Sequence, residues 1–205
     1  MPVIYLASRS PRRRELLHQL GVAFEDLLNH EQHGADVDET PHPDEAPRDY
    51  VLRLARAKAE SGRRQIVLRG LPALPVLAAD TTVVLDGLIL GKPDDDAHAR
   101  DMLHRLSAHV HLVMTAVAVA SEERVETVMS TSTVEFRDLD GAEIERYVAS
   151  GEPLDKAGAY AIQGQAAMFV RKLAGSYSGI MGLPLIATAD LLWRFGIASE
   201  WSPRD

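Results

Sequence analysis

Residues 74–93, LPVLAADTTVVLDGLILGKP, hold two apolar runs on either side of Asp86-Gly87. Asp-Gly between apolar runs is a hairpin signal, because both residues tolerate the positive φ of a tight turn. A second, longer hairpin is expected over 110–139, with its turn near Ser121–Arg124. Before the first hairpin, PVIYLA (2–7) reads as a buried strand. Ser10-Pro11 then opens a helix, with Leu16, Leu17 and Leu20 at helical spacing and Gly21 at its end. VAFEDLL (22–28) reads as a further strand, and 29–47 as a long acidic, proline-bearing loop. Amphipathic spacing predicts a helix over 48–65. Residues 94–108 open with acids and close with His104 and Arg105, the polarity a helix dipole favours. Asp140 and Gly151 bracket a short helix, 166–175 reads as a strand and 183–195 as a closing helix. The expected fold is α/β: an elongated mixed sheet flanked by helices, forming one domain over 1–205, in two lobes around a central cleft.

The chain has 205 residues, 46% of them hydrophobic, enough for a substantial core. Its net charge of −8 opposes general attraction to nucleic acid or an anionic membrane, so any anion must be held by a local cluster. There is no cysteine, which excludes disulfides, thiol chemistry and thiolate metal sites. The apolar run precedes the arginines at the N-terminus, the reverse of a secretory leader. No apolar stretch approaches the roughly 18 residues of a membrane span. A cytoplasmic protein is therefore expected.

LASRSPRRREL (6–16) places Arg9, Arg12, Arg13 and Arg14 at a helix start. On composition alone, this is a solvated basic helix face. After a strand and at a helix N-terminus, however, amides, dipole and guanidinium groups together form an anion site. Asp80 follows an apolar run and is placed where a strand leaves the core. A carboxylate there can orient a metal ion or activate a water, and Lys92 beside Pro93 can return toward it as a phosphate ligand. A turn-capping Asp and a surface Lys are the plain alternative. In DVDET, Asp36, Asp38 and Glu39 offer oxygen ligands to a hard divalent cation, though acidic loops are commonly only solvated. In GEPLDKAGAYAIQG (151–164), glycines around Asp155, Lys156 and Gln163 suggest close approach of backbone to a ligand. The Gln163 amide carries both donors and an acceptor, suited to a base edge. The eight histidines form no convincing metal set, although His109 and His111 are placed on one strand face. Clustered cations with acids in loops and at strand exits suit a metal-bridged polyphosphate. The Gly-rich Lys-Ser/Thr loop of P-loop enzymes is absent.

LASRSPRRRELL, DET…YVLRLARAKA, AADTTVVLDGLILGKP, ML..LSAHVHLVMTAVAV and EPLDKAGAYAIQG…..V.KLAGSYSGIMGLPL, in that order, resemble the blocks of the Maf family of nucleoside triphosphate pyrophosphatases. The resemblance runs from about residue 3 to residue 195. It implies an enzyme that cleaves a nucleoside triphosphate to the monophosphate and pyrophosphate with a divalent metal, Mg²⁺ or Mn²⁺, in house-cleaning of nucleotide pools. It implies a fold related to the inosine triphosphate pyrophosphatases. Carried over by motif, Asp80 is the proton acceptor and Glu39 a metal partner beside it. Ser8, Arg13, Lys58 and Lys92 bind phosphate, and Asp155 and Lys156 match the DKAG block. Arg12, Thr81 and Gln163 match the branch that is similar to dTTP/UTP pyrophosphatases. The other functions left open are a pyrophosphatase for 7-methyl-GTP or other modified nucleotides, and a nucleotide-binding regulator of septum formation. The expected partner is a nucleoside triphosphate, with neither nucleic acid nor membrane, and a homodimer is allowed. Ala79, Ala108 and Ala161 stand where the family pattern has glycine.

Overall fold

The computed structural model describes residues 3–28 and 37–198. A seven-stranded mixed sheet organises them, in the order β2-β1-β3-β5-β6-β7, with β4 also paired to β3. Strand β1 (Ile4–Leu6) runs parallel to β2 (Phe24–Asp26) and to the start of β3 (Val76–Leu85). The expected first hairpin joins β3 to β4 (Leu88–Leu90). Its turn residues Asp86 and Gly87 have φ of 51° and 79°, the conformation the Asp-Gly pair predicts. The second hairpin joins β5 (Val110–Ala120) to β6 (Val125–Phe136), and β7 (Val170–Ala174) completes the sheet.

Helices cover both faces. Alternation along β1, β3 and β5 sends Ile4, Leu6, Leu77, Val117 and Val119 to one side, under α1 (Pro11–Gln19) and α6 (Leu185–Arg194). Tyr5, Ala78, Ala116 and Ala118 face the other side, under α2 (Pro47–Arg69). The small side chains let α2 lie close: a Cβ on its Gly62 would stand 2.7 Å from Val76. A third core region lies at the far end of the same strands, where Val83, Leu85, Val113 and Phe136 pack with α3 (Asp96–Leu106) and α4 (Gly141–Ala149). Strands β3 and β5 thus run through every core region. Among the described residues no helix is long and apolar enough to cross a membrane.

Local chemistry explains most element ends. The Asp95 side chain accepts from the His98 N–H at 2.8 Å and caps α3. Asp140 and Glu143 form a capping box on α4. Ser10 stands at the N-cap of α1 as expected, but its side chain caps nothing; its own N–H donates to Ser8 Oγ at 3.2 Å. Helix α2 continues past residue 65 to Arg69, where Gly70 turns left-handed with φ 61°. Residues Gln165–Phe169 form a 3-10 turn rather than the start of a strand, so β7 begins only at Val170. A five-residue helix, α5 (Tyr177–Met181), went unread because it is too short to show a period. Ala108 takes φ 58°, a left-handed turn that glycine adopts without strain.

The two histidines expected on one strand face are separated. His109 precedes β5 and is exposed, while His111 is 1% exposed and bonds Tyr160 Oη at 2.9 Å. Burial depresses the His111 pKa from 6.5 to about 4. Its neutral form is the folded one, so the unfolded chain binds the extra proton below pH 6.5. Stability is then lost as pH falls from 6.5 toward 4, by about 3 kcal/mol in total. The check is denaturant unfolding from pH 7 to 5, comparing wild type with His111→Gln. The wild type should show the steeper loss, and equal slopes would disprove the assignment.

Candidate active site

Strand β5 pairs one edge of β3 continuously from Val76 to Val84. The other edge meets β1 only at Val76 and Leu77, and β4 only from Val83 to Leu85. The stretch between, carrying Asp80 and Thr81, has no strand on that side among the described residues. A cavity of about 620 Å³ opens there. Asp80 is therefore mid-strand, and not at a strand exit as expected; it is buried, and the cavity reaches it through the gap in the sheet edge. Every residue assigned a role by the family blocks lines this one cavity. Asp38 does not: its carboxylate accepts the Thr40 N–H at 2.9 Å. Asp36 lies outside the described residues.

Alternation turns Asp80 toward α2. Lys58, on that helix, donates to Asp80 Oδ1 at 2.7 Å and stands 2.5 Å from Glu39 Oε1. The loop holding Glu39 is fixed from α2: Tyr50 Oη donates to the Glu39 carbonyl at 3.0 Å, and Arg53 Nη2 to that of Thr40 at 3.2 Å. Burial and the neighbouring carboxylates of Asp80 and Glu39 push the Tyr50 pKa up to about 12, so the phenol keeps its proton and donates. Burial raises the Glu39 pKa, but Lys58, Lys92 and Arg13 outweigh it and hold the carboxyl below its usual value. Two carboxylates thus converge on one cation. No group of three or more acidic, His or Cys side chains suited to a metal occurs among the described residues. The pair nevertheless fits a hard divalent ion, which commonly takes one or two carboxylates and completes its shell with water and substrate phosphate.

Thr81 points to the opposite face of β3. Arg13 reaches it there, donating from Nη2 to Thr81 Oγ1 at 3.1 Å, from Nη1 to Ser8 Oγ at 3.2 Å and from Nε to the Gly182 carbonyl at 2.8 Å. Thr115 Oγ1 donates to the Gly179 carbonyl at 2.7 Å, so its 2.9 Å bond to Thr81 is donated by Thr81. Arg13 therefore ties the loop after β1 and the end of α5 to the centre of β3. Ser8 Oγ accepts from both Arg13 and the Ser10 amide, leaving its O–H as the remaining donor. Arg14 points away, its Nε donating to both carboxylate oxygens of Asp26 on β2, at 2.9 and 2.8 Å.

Arg12 and Lys92 line the cavity with no hydrogen-bond or ion-pair partner among the described residues. Lys156 pairs with Asp155, whose carboxyl burial raises and Lys156 lowers, leaving it below its usual range. The Gly158 amide donates to the Gly91 carbonyl at 3.0 Å, joining the loops that carry Lys156 and Lys92. Gly158 has φ 68°, and a Cβ on it would stand 2.8 Å from Val83, so glycine is required on both counts. Gln163 is exposed at the cavity wall. The sequence did not reveal Tyr50 as the support of Glu39, since its spacing marks it only as apolar helix face. Nor did it reveal the cavity's apolar wall of Val113, Tyr160, Ile162 and Ile180, which β5, the loop at 160–162 and α5 supply.

The model of the Maf-like protein family matches residues 3–195. The dTTP/UTP pyrophosphatase of Nitrosomonas europaea is 57% identical over 197 residues, covering 95% of each chain. That of Aromatoleum aromaticum is 57% identical over 196 residues, covering 94% of this chain and 95% of its own. That of Dechloromonas aromatica is 53% identical over 195 residues, covering 94% and 97%.

Proposed function

The chain belongs to the family of Maf-like proteins, and on that premise we propose that it hydrolyses dTTP and UTP to the monophosphate and pyrophosphate. The relatives named for that activity match it over nearly their whole length. The observation that carries the proposal is the arrangement around Asp80: a carboxylate lining the cavity beside a gap in the sheet, with Glu39 and Lys58 next to it and Arg12, Lys92 and Lys156 in the same cavity.

In this reading Asp80 accepts a proton from the water that attacks the α-phosphorus. The α–β phosphoanhydride bond breaks, and pyrophosphate leaves with the bridging oxygen. Arg12, Lys92, Lys156 and the Ser8 hydroxyl hold the phosphate oxygens, whose charge cations offset. Asp155 sets the position of Lys156. Lys58 bridges the two carboxylates in the free enzyme and turns to phosphate when substrate enters. Glu39 and Asp80 would hold a divalent cation, Mg²⁺ or Mn²⁺, which when bound offsets phosphate charge and polarises the reacting phosphoryl group. Arg13, expected as a phosphate ligand, already gives three N–H donors to Gly182, Ser8 and Thr81, so in this reading it and Thr81 shape the site through those bonds. Gln163 meets the base, its amide pairing with the adjacent carbonyl and N–H of thymine or uracil. The described chain acts as one domain, its core regions flanking the cavity. A nucleotide-pool enzyme of this kind works in the cytoplasm.

The test is pyrophosphate release from dTTP, UTP, 7-methyl-GTP, inosine triphosphate and xanthosine triphosphate, with Mg²⁺ or Mn²⁺. dTTP and UTP should be cleaved fastest, giving pyrophosphate and not orthophosphate. Preference for 7-methyl-GTP would assign the chain to the other branch. No release from any would leave a nucleotide-binding regulator.

A further inference from the structure

The segment carrying Gln163 is held at both ends by one pair of side chains. Tyr147 Oη accepts the Ala161 N–H at 3.1 Å and donates to Glu152 Oε1 at 2.9 Å. Glu152 Oε2 accepts the Gln165 N–H at 3.2 Å. The amides on either side of Gln163 thus end on a single phenol–carboxylate unit. That unit is rigid at its base: Tyr147 is 3% exposed on α4, with its ring edge-on to Phe169 at 5.1 Å. Burial raises the phenol's pKa, so it stays a donor to Glu152. Gly164 completes the arrangement. Its φ of −100° suits any residue, but a Cβ there would overlap the Glu152 carboxyl. The close approach that the glycine of this motif suggested is thus made by a side chain of the protein itself.

The base chemistry gives this clamp a purpose. Thymine and uracil present a carbonyl beside an N–H, and guanine presents the same pair on its six-membered ring. A carboxamide pairs equally with either pattern. The guanine edge stands farther from the sugar, because a five-membered ring intervenes. Selection between them therefore depends on where the amide stands, and not on what it is.

We propose that Tyr147 and Glu152 are positioning residues that fix the depth at which Gln163 meets the base, and so select thymine and uracil over guanine. The inference rests on the reading of Gln163 given above. Neither Tyr147 nor Glu152 lines the cavity that holds Asp80, so the attack at the α-phosphorus should be left untouched.

The experiment measures kcat and KM for dTTP and dGTP with Mg²⁺ in wild type, Gln163→Ala, Tyr147→Phe, Gly164→Ala and the double variant Tyr147→Phe/Gln163→Ala, with a thermal melt of each. Gly164→Ala displaces the Glu152 carboxyl without removing a core side chain, so it tests the clamp even if Tyr147→Phe folds poorly. Gln163→Ala should lower the dTTP-to-dGTP ratio of kcat/KM. Tyr147→Phe and Gly164→Ala should each lower it about tenfold, mainly through a raised KM for dTTP. The double variant should match Gln163→Ala alone, because both act through one contact. If Gln163→Ala lowers the ratio while Tyr147→Phe and Gly164→Ala leave it at the wild-type value, the clamp is overturned and the Gln163 reading stands. If Gln163→Ala leaves the ratio unchanged, the reading of Gln163 falls, and the clamp's role falls with it.

Discussion

Asp80→Asn is expected to lower the turnover of dTTP by about two to four orders of magnitude, the usual contribution of a positioned general base. The substitution is nearly isosteric. Its amide oxygen can still accept from Lys58, which now lies 2.7 Å from Oδ1, so the local packing survives. What is lost is the negative charge and the capacity to take a proton. The cations that would hold the triphosphate stand elsewhere in the cavity, on α1 and on the loops around residues 92 and 156. Nucleotide binding measured without added divalent metal should therefore change by a few-fold only. Steady-state pyrophosphate release, paired with calorimetric titration of dTTP, separates the two quantities. Turnover within a few-fold of wild type would remove Asp80 from the base role.

Arg13→Met is expected to cost about 3 kcal/mol or more in stability, since hydrogen bonds from a charged donor contribute about 1.5–3 kcal/mol each and three are lost together. Its acceptors, Ser8 Oγ, Thr81 Oγ1 and the Gly182 carbonyl, come from three separate parts of the chain. Removing the guanidinium releases the loop after β1 from β3 and both from the end of α5. Turnover should fall with stability, because Ser8 and Gly182 both line the cavity. Arg13→Lys should rescue little, since an ammonium cannot reproduce the planar fork that spans these acceptors. The neighbouring Arg14 provides the contrast. Its pair with Asp26 is partly exposed, at 23% and 35% of the two side chains, so Arg14→Ala should cost no more than about 1 kcal/mol. Urea unfolding and kcat/KM of the three variants check this. A wild-type midpoint for Arg13→Met would show that these bonds do not brace the site.

The arginine run shows how far local sequence reaches. Four like residues in six positions look interchangeable, and a helix start explains why positive charge is useful there. Their separation depends on which way each points. Arg12 faces the cavity, Arg13 is drawn inward to Thr81, and Arg14 turns to β2. The histidine pair makes the same point. Spacing put His109 and His111 on one strand, but β5 starts only at Val110, leaving one ring outside it and the other buried against Tyr160.

The sequence by itself determined the elements whose causes are local. The Asp-Gly turn needs positive φ, the Asp140 cap needs an acceptor three residues before an amide, and the long apolar runs need burial whatever covers them. It also pointed to residues that the fold gathers around one cavity, because the family blocks carry residue types in a fixed order. Tertiary structure alone decided that Asp80 meets the cavity from mid-strand. Its access to the cavity follows from β1 ending too early, and β4 starting too late, to cover that edge of β3. It alone decided that Lys58 joins Asp80 to Glu39, that Arg13 braces three segments and that Tyr147 and Glu152 hold the Gln163 loop. Each of these links joins side chains brought together by the fold or aimed by the local backbone, and no periodicity in a chain encodes which distant partner a hydrogen bond will find.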